Sequence, residues 1–201
     1  MRQETGSNPH LANNKVSIQV KLGGRSFSAG KVIASDAKLV EFEIDTPRVT
    51  LVLREDITLE NADELLRLAG KPCRLNEQSV CSELQDDIVA IMAIDKDALA
   101  SINERWGRRA SFTSPLLDMS HSEEEECLTI IASERVCYLH LFGSGMQMQR
   151  AEAFEATTPE DILHLVTTWI GNNDIPIYID KSGDCSSAKL LCKYYKRVKC
   201  E

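Results

Sequence analysis

Apolar and polar positions alternate most cleanly near the start of the chain, where Val16, Ile18, Val20 and Leu22 share one face of residues 15–22 and Ser17, Gln19 and Lys21 the other. That period of two predicts a strand with one buried face. Gly23-Gly24 reads as a hairpin turn returning through residues 25–33, and residues 39–44 alternate again with Val40, Phe42 and Ile44 inward. A three-stranded antiparallel meander is therefore expected before Pro47 breaks the chain. A short apolar strand follows at 49–53. Ala62, Leu65, Leu66 and Ala69 recur at helical spacing within 59–69, with Gly70 and Pro72 as stop signals. Residues 79–84 suit another strand and residues 88–94 an apolar, buried one. Asp95 stands where it would cap a helix running to Trp106, and residues 108–112 suit one more strand ahead of Ser114-Pro115.

From Cys127 onward the pattern leaves less choice. Residues 127–133 and 136–142 are rich in Ile, Leu, Val and Tyr, and only Glu134-Arg135 separates them, which predicts an antiparallel hairpin. Gly143 and Gly145 punctuate, and residues 146–155 give a third strand. Thr158 then stands as a helix cap, Pro159 at the first helical position and Asp161 at the capping-box position. Ile162, Leu165, Val166, Trp169 and Ile170 recur at helical spacing up to Gly171, and Leu165, Val166 and Trp169 are expected to pack on the sheet. Residues 175–179 are expected to return parallel to the first hairpin strand. A closing helix is predicted over 186–199, with Leu190 or Leu191, Tyr194 or Tyr195 and Val198 on one face. Lys193, Lys196, Arg197 and Lys199 then fall in its last turns, where cations complement the helix dipole.

The order hairpin, third strand, helix, strand, helix thus occurs twice, which predicts two mixed sheets flanked by helices. The division that follows is a flexible leader at 1–14, a first half at 15–118, an acidic connector at 119–126 and a second half at 127–201. Glu123 to Glu126 read as a solvated linker, since adjacent carboxylates repel.

Composition narrows the class. A chain of 201 residues with 43% hydrophobic content builds a core. A net charge of −8, from 31 acidic and 23 basic residues, argues against generic binding to nucleic acid or an anionic membrane. Absence of an apolar run long enough to span a bilayer, and of an apolar segment in the first 14 residues, leads to a cytoplasmic expectation. Seven widely spaced cysteines without a CxxC pair read as free thiols in a reducing compartment, with a Cys127–Cys137 bridge across the hairpin left open.

The stretches KVSIQVKLGGRSFSAG, VTLVLREDITLENADELLRLAG, DIVAIMAIDKDALASINERWG, TSPLLD, FEATTPEDILHLVTTWI and KLLCKYYKRV, spread from Lys15 to Val198, resemble an uncharacterised bacterial family of unknown function with an actin-like ATPase fold. That resemblance implies a duplicated ribonuclease-H-like architecture whose halves enclose a nucleotide cleft. Active members of the wider superfamily place an Asp and glycines in the turn between the first two strands of each half, so that a carboxylate reaches the metal and backbone amides reach phosphate. Here the two turns read Lys21-Leu22-Gly23-Gly24-Arg25 and Ala132-Ser133-Glu134-Arg135, and neither contains the Asp.

Gly23 and Gly24 suit either an approaching phosphate or a plain hairpin turn. Glu134 is the acid of the second turn, and Asp180, Gly183 and Asp184 lie in a loop after the last strand, where nucleotide contacts can sit or a helix cap can end. Neither a Walker-type lysine loop nor a dinucleotide glycine motif is present. Gly143-Ser144-Gly145 lacks the spacing of a nucleophile elbow. Of the four histidines, His10, His121, His140 and His164, folding is left free to bring the last two together. The expectation is a catalytically silent adaptor or scaffold that binds another protein, with no catalytic residue and no metal. The alternative is a weak nucleotide-binding protein or ATPase that takes ATP with magnesium, and a third is an RNA-associated factor using the basic C-terminal helix.

Overall fold

The computed structural model describes residues 15–20, 39–58, 60–82, 87–118, 126–145, 147–180 and 186–200. Along it run β1 (Lys15–Val20), β2 (Leu39–Ile44), β3 (Val49–Leu53), α1 (Ala62–Leu68), β4 (Glu77–Cys81), β5 (Ile88–Asp95), α2 (Lys96–Trp106) and β6 (Ala110–Thr113). Then follow β7 (Cys127–Ala132), β8 (Val136–Phe142), β9 (Met148–Glu155), α3 (Pro159–Ile170), β10 (Ile177–Ile179), α4 (Ser186–Leu191) and β11 (Val198–Cys200). Among the described residues these strands form three sheets, ordered β1-β2-β6, β3-β5-β4 and β11-β10-β7-β8-β9.

The five-stranded sheet follows from local chemistry. β7, β8 and β9 pair antiparallel in succession, and β10 runs parallel to β7. α3 begins at a complete capping box, in which the Asp161 N–H donates to Thr158 Oγ1 at 3.1 Å and the Thr158 N–H donates to Asp161 Oδ2 at 2.9 Å. It ends at Gly171, whose φ of 58° favours glycine. The centre of its buried face is Ile162, Val166 and Ile170, four residues apart. Leu165 and Trp169, expected in that contact, are only half-buried at its flank, with the Trp169 ring edge-on to Phe154 at 5.9 Å and under the Arg150 guanidinium at 4.1 Å.

Two other expectations are corrected. β1 and β2 are parallel, and β2 is parallel to β6, so residues 39–44 are not the third strand of an antiparallel meander. Alternation reports which face is buried and says nothing of direction, and the chain between β1 and β2 has the length a parallel crossover needs. The returning strand expected at 25–33 lies outside the described residues, as do the leader at 1–14 and most of the connector. The closing helix stops at Leu191, and Val198–Cys200 is a strand parallel to β10. Tertiary bonds override the helical spacing: the Ile177 N–H donates to Arg197 O at 2.8 Å, and the Tyr195 hydroxyl donates to Gly171 O at 2.9 Å. Lys196, Arg197 and Lys199 therefore do not sit in the last turn of a helix.

β8 faces two cores. Its Cys137 and Leu139 point toward α3 with Leu128, Ile130 and Val166, whereas Val136 and Tyr138 join Val40, Phe42, Met92 and Ile102 on the other side. Cys127 lies opposite Phe142 and Cys137 opposite Ala132, so the two thiols occupy different ends of the hairpin and no disulfide joins them. Burial pushes the Cys137 thiol up to about 12. His140 and His164 are likewise separated, because His140 is buried on the Tyr138 face of the sheet and α3 covers the opposite face.

Candidate functional site

Ligands of open α/β sheets gather beyond the carboxyl ends of parallel strands. At that end of β2 the chain turns through Asp45, Thr46, Pro47 and Arg48 into β3, and at that end of β7 it turns through Ser133, Glu134 and Arg135 into β8. These two turns meet. Ser133 Oγ and the Tyr138 hydroxyl each donate to Asp45 Oδ1 at 3.0 Å, and the Thr46 N–H donates to the Tyr138 oxygen at 2.9 Å. The Asp45 N–H in turn donates to Val20 O at 3.0 Å. A carboxylate this deep, 4% exposed, is costly to bury unless hydrogen-bonded. Burial, reinforced by the Asp45 charge, pushes the Tyr138 phenol far up, so it stays protonated and able to donate.

Three further contacts fix the surroundings. Arg48 holds Glu77 through both guanidinium branches, with Nε to Oε2 at 2.8 Å, and the Arg74 N–H donates to the same Oε2 at 2.9 Å. Burial alone would raise the Glu77 carboxyl, but these bonds and the neighbouring arginine charges hold it below the usual range. Asp95 caps α2, accepting from the Asp97 and Ala98 N–H groups at 2.9 and 3.1 Å, and takes Asn76 Nδ2 at 3.0 Å on its other oxygen. His140 closes the far side of the junction: its Nε2 lies 3.1 Å from Leu116 O, in the turn Pro115–Leu117.

Glu134 is exposed in the β7–β8 turn, and Asp180, also exposed, follows β10 with its N–H donating to Ile130 O at 3.0 Å. Both thus stand at the same end of the sheet. Gly23, Gly24, Gly183 and Asp184 lie outside the described residues. The residue that sequence reasoning missed is Asp45. Its signal was an alternating strand, 40–44, ending in Asp before a turn and a second strand. Among the described residues no three His, Cys, Asp or Glu side chains converge on a metal position, and no helix is long and apolar enough to cross a membrane. Asp45 Oδ1 thus accepts two hydroxyls, and the acid of the second turn is the longer Glu134.

No protein-family model matches the chain, and no curated protein does. Among solved structures it is similar to a Bacteroides thetaiotaomicron VPI-5482 protein with actin-like ATPase fold and unknown function. The TM-score is 0.66 at 23% identity, over 82% of this chain and 68% of that one. It is also similar to a PilM–PilN type IV pilus biogenesis complex, with TM-score 0.45 and 12% identity over 83% and 71% of the two chains. A third likeness is the cytoplasmic domain of EpsL, an inner membrane component of the Vibrio cholerae type II secretion system, with TM-score 0.42 and 11% identity over 82% and 81%. The first likeness defines the fold, which is the actin-like ATPase fold; the other two are too distant to extend it.

Proposed function

We propose that this chain is a non-catalytic, cytoplasmic actin-like protein that serves as an adaptor or scaffold for another protein. The observation that carries this reading is the engagement of Asp45 by Tyr138 and Ser133: the carboxylate best placed to reach a metal joins the two turns instead. Duplication belongs to the same reading, with residues 15–118 and 127–201 as the two halves and the Asp45 and Glu134 turns as counterparts. Phosphoryl transfer on such a fold depends on a metal held between carboxylate and phosphates and on an aligned attacking water. Engagement of Asp45 Oδ1 by two hydroxyls argues against the first of these.

The test is phosphate release and heat stabilisation with magnesium ATP in millimolar excess. No release above a buffer blank and no rise in melting temperature are expected, because a bound ligand would shift unfolding by mass action. Steady magnesium-dependent release that disappears in Asp45→Ala or Glu134→Ala would replace the adaptor reading with that of a weak ATPase.

A further inference from the structure

Between the carboxyl ends of β2 and β5 and the β7–β8 turn lies a cavity of about 150 Å³, whose lining includes Asp45, Arg48, Arg74, Glu77, Asp95 and Arg135. It is smaller than the roughly 300–1,000 Å³ of pockets that enclose drug-sized molecules, and large enough for one small polar group. Its three acids are each committed within the protein: Asp45 to Tyr138 and Ser133, Glu77 to Arg48, and Asp95 to the first turn of α2 and Asn76. The arginines are not matched in the same way. Arg48 is spent on Glu77, and Arg135 reaches Glu155 at 3.1 Å in a pair that is 53% and 47% exposed. Among the described residues the Arg74 guanidinium has no hydrogen-bonded acceptor, and Arg74 is exposed at the rim.

We infer that this cavity receives a carboxylate presented by a partner protein, either an acidic side chain or a C-terminal carboxylate, gripped by Arg74 from the β4 side and Arg135 from the β7–β8 turn. The inference rests on the adaptor reading and names the chemistry of the partner. Guanidinium forks match a planar carboxylate through two parallel bonds. An exposed pair such as Arg135–Glu155 is worth little, so Arg135 exchanges its partner at small cost.

The experiment uses fluorescein-labelled nonapeptides and the full chain at low salt, read by fluorescence polarisation. One peptide repeats Gly-Ser-Glu with its C-terminus amidated, a second repeats Gly-Ser-Gln with a free C-terminal carboxylate, and a third repeats Gly-Ser-Gln and is amidated. The first, the second or both are expected to bind, which tells side-chain from terminal carboxylate, while the third does not. Affinity is expected to fall at least about tenfold, near 1.4 kcal/mol, in Arg74→Gln and in Arg135→Gln. Lys189→Gln, an exposed cation on α4, is expected to leave it unchanged. Failure of both carboxylate peptides to bind, or binding indifferent to Arg74→Gln but lost in Lys189→Gln, overturns the inference and leaves the adaptor reading intact. Magnesium ATP that binds, displaces the peptide and needs Arg74 overturns the adaptor reading itself.

Discussion

At the scale of single residues, His140 is held in one protonation state. A carbonyl only accepts, so the bond to Leu116 O places the proton on Nε2 and leaves Nδ1 to accept from the Thr129 hydroxyl at 3.3 Å. Phe142 stacks at 6.2 Å between ring centroids. Burial holds the imidazole below its ordinary value, against smaller opposing effects from the Leu116 bond and the Asp118 charge. The unfolded chain therefore binds the extra proton first. The stabilisation is complete above the ordinary value of about 6.5 and is lost as pH falls through the depressed folded value. Urea midpoints measured from about pH 7.5 to about pH 5.5 are expected to fall in the parent protein and to flatten in His140→Gln. Glu77 has the same sign, yet its carboxyl is held below the usual carboxylate range, so its share is lost only at more acid pH. Equal slopes in the two proteins would show that His140 is not the group being titrated.

Elements differ in how much of them the sequence revealed. From β7 to β10 nearly everything was legible, because caps, turn residues and spacing are local: Thr158, Pro159 and Asp161 specify the start of α3 without help from the rest of the chain. Pairing direction was not legible in β1 and β2, whose alternation fits either sense, nor was the end of α4, where Leu191, Tyr195 and Val198 suit a helical face as well as a turn and strand. The site suffered from the same gap, since Asp45 gains meaning only when Tyr138, 93 positions away, is brought to it. Exposure also separates residues that spacing treats alike. Leu139→Ala, at a site with no exposure, is expected to cost about 2–5 kcal/mol. Trp169→Ala is expected to stay below the about 3–5 kcal/mol of a fully buried tryptophan, losing Phe154 and Arg150 contacts at the flank of α3. Denaturant midpoints at constant m-value check both.

For the molecule as a whole, the Tyr138 hydroxyl is the bond between its parts that a single substitution removes most cleanly. Tyr138→Phe keeps the ring in the core, takes one donor from Asp45 and leaves the Thr46 N–H without its acceptor, at an expected cost of about 1–3 kcal/mol. Because Ser133 shares the same Asp45 oxygen, Tyr138→Phe and Ser133→Ala are expected to be non-additive in a double-mutant cycle. β8 has a broader consequence. One strand supplies alternate side chains to both cores, so neither core can lose its order while the other keeps a wall to pack against. Whatever border the sequence draws at 119–126, melting is then a single cooperative event: the calorimetric enthalpy is expected to equal the van't Hoff enthalpy, and two resolved heat-absorption peaks would mean that the shared strand does not couple the two cores.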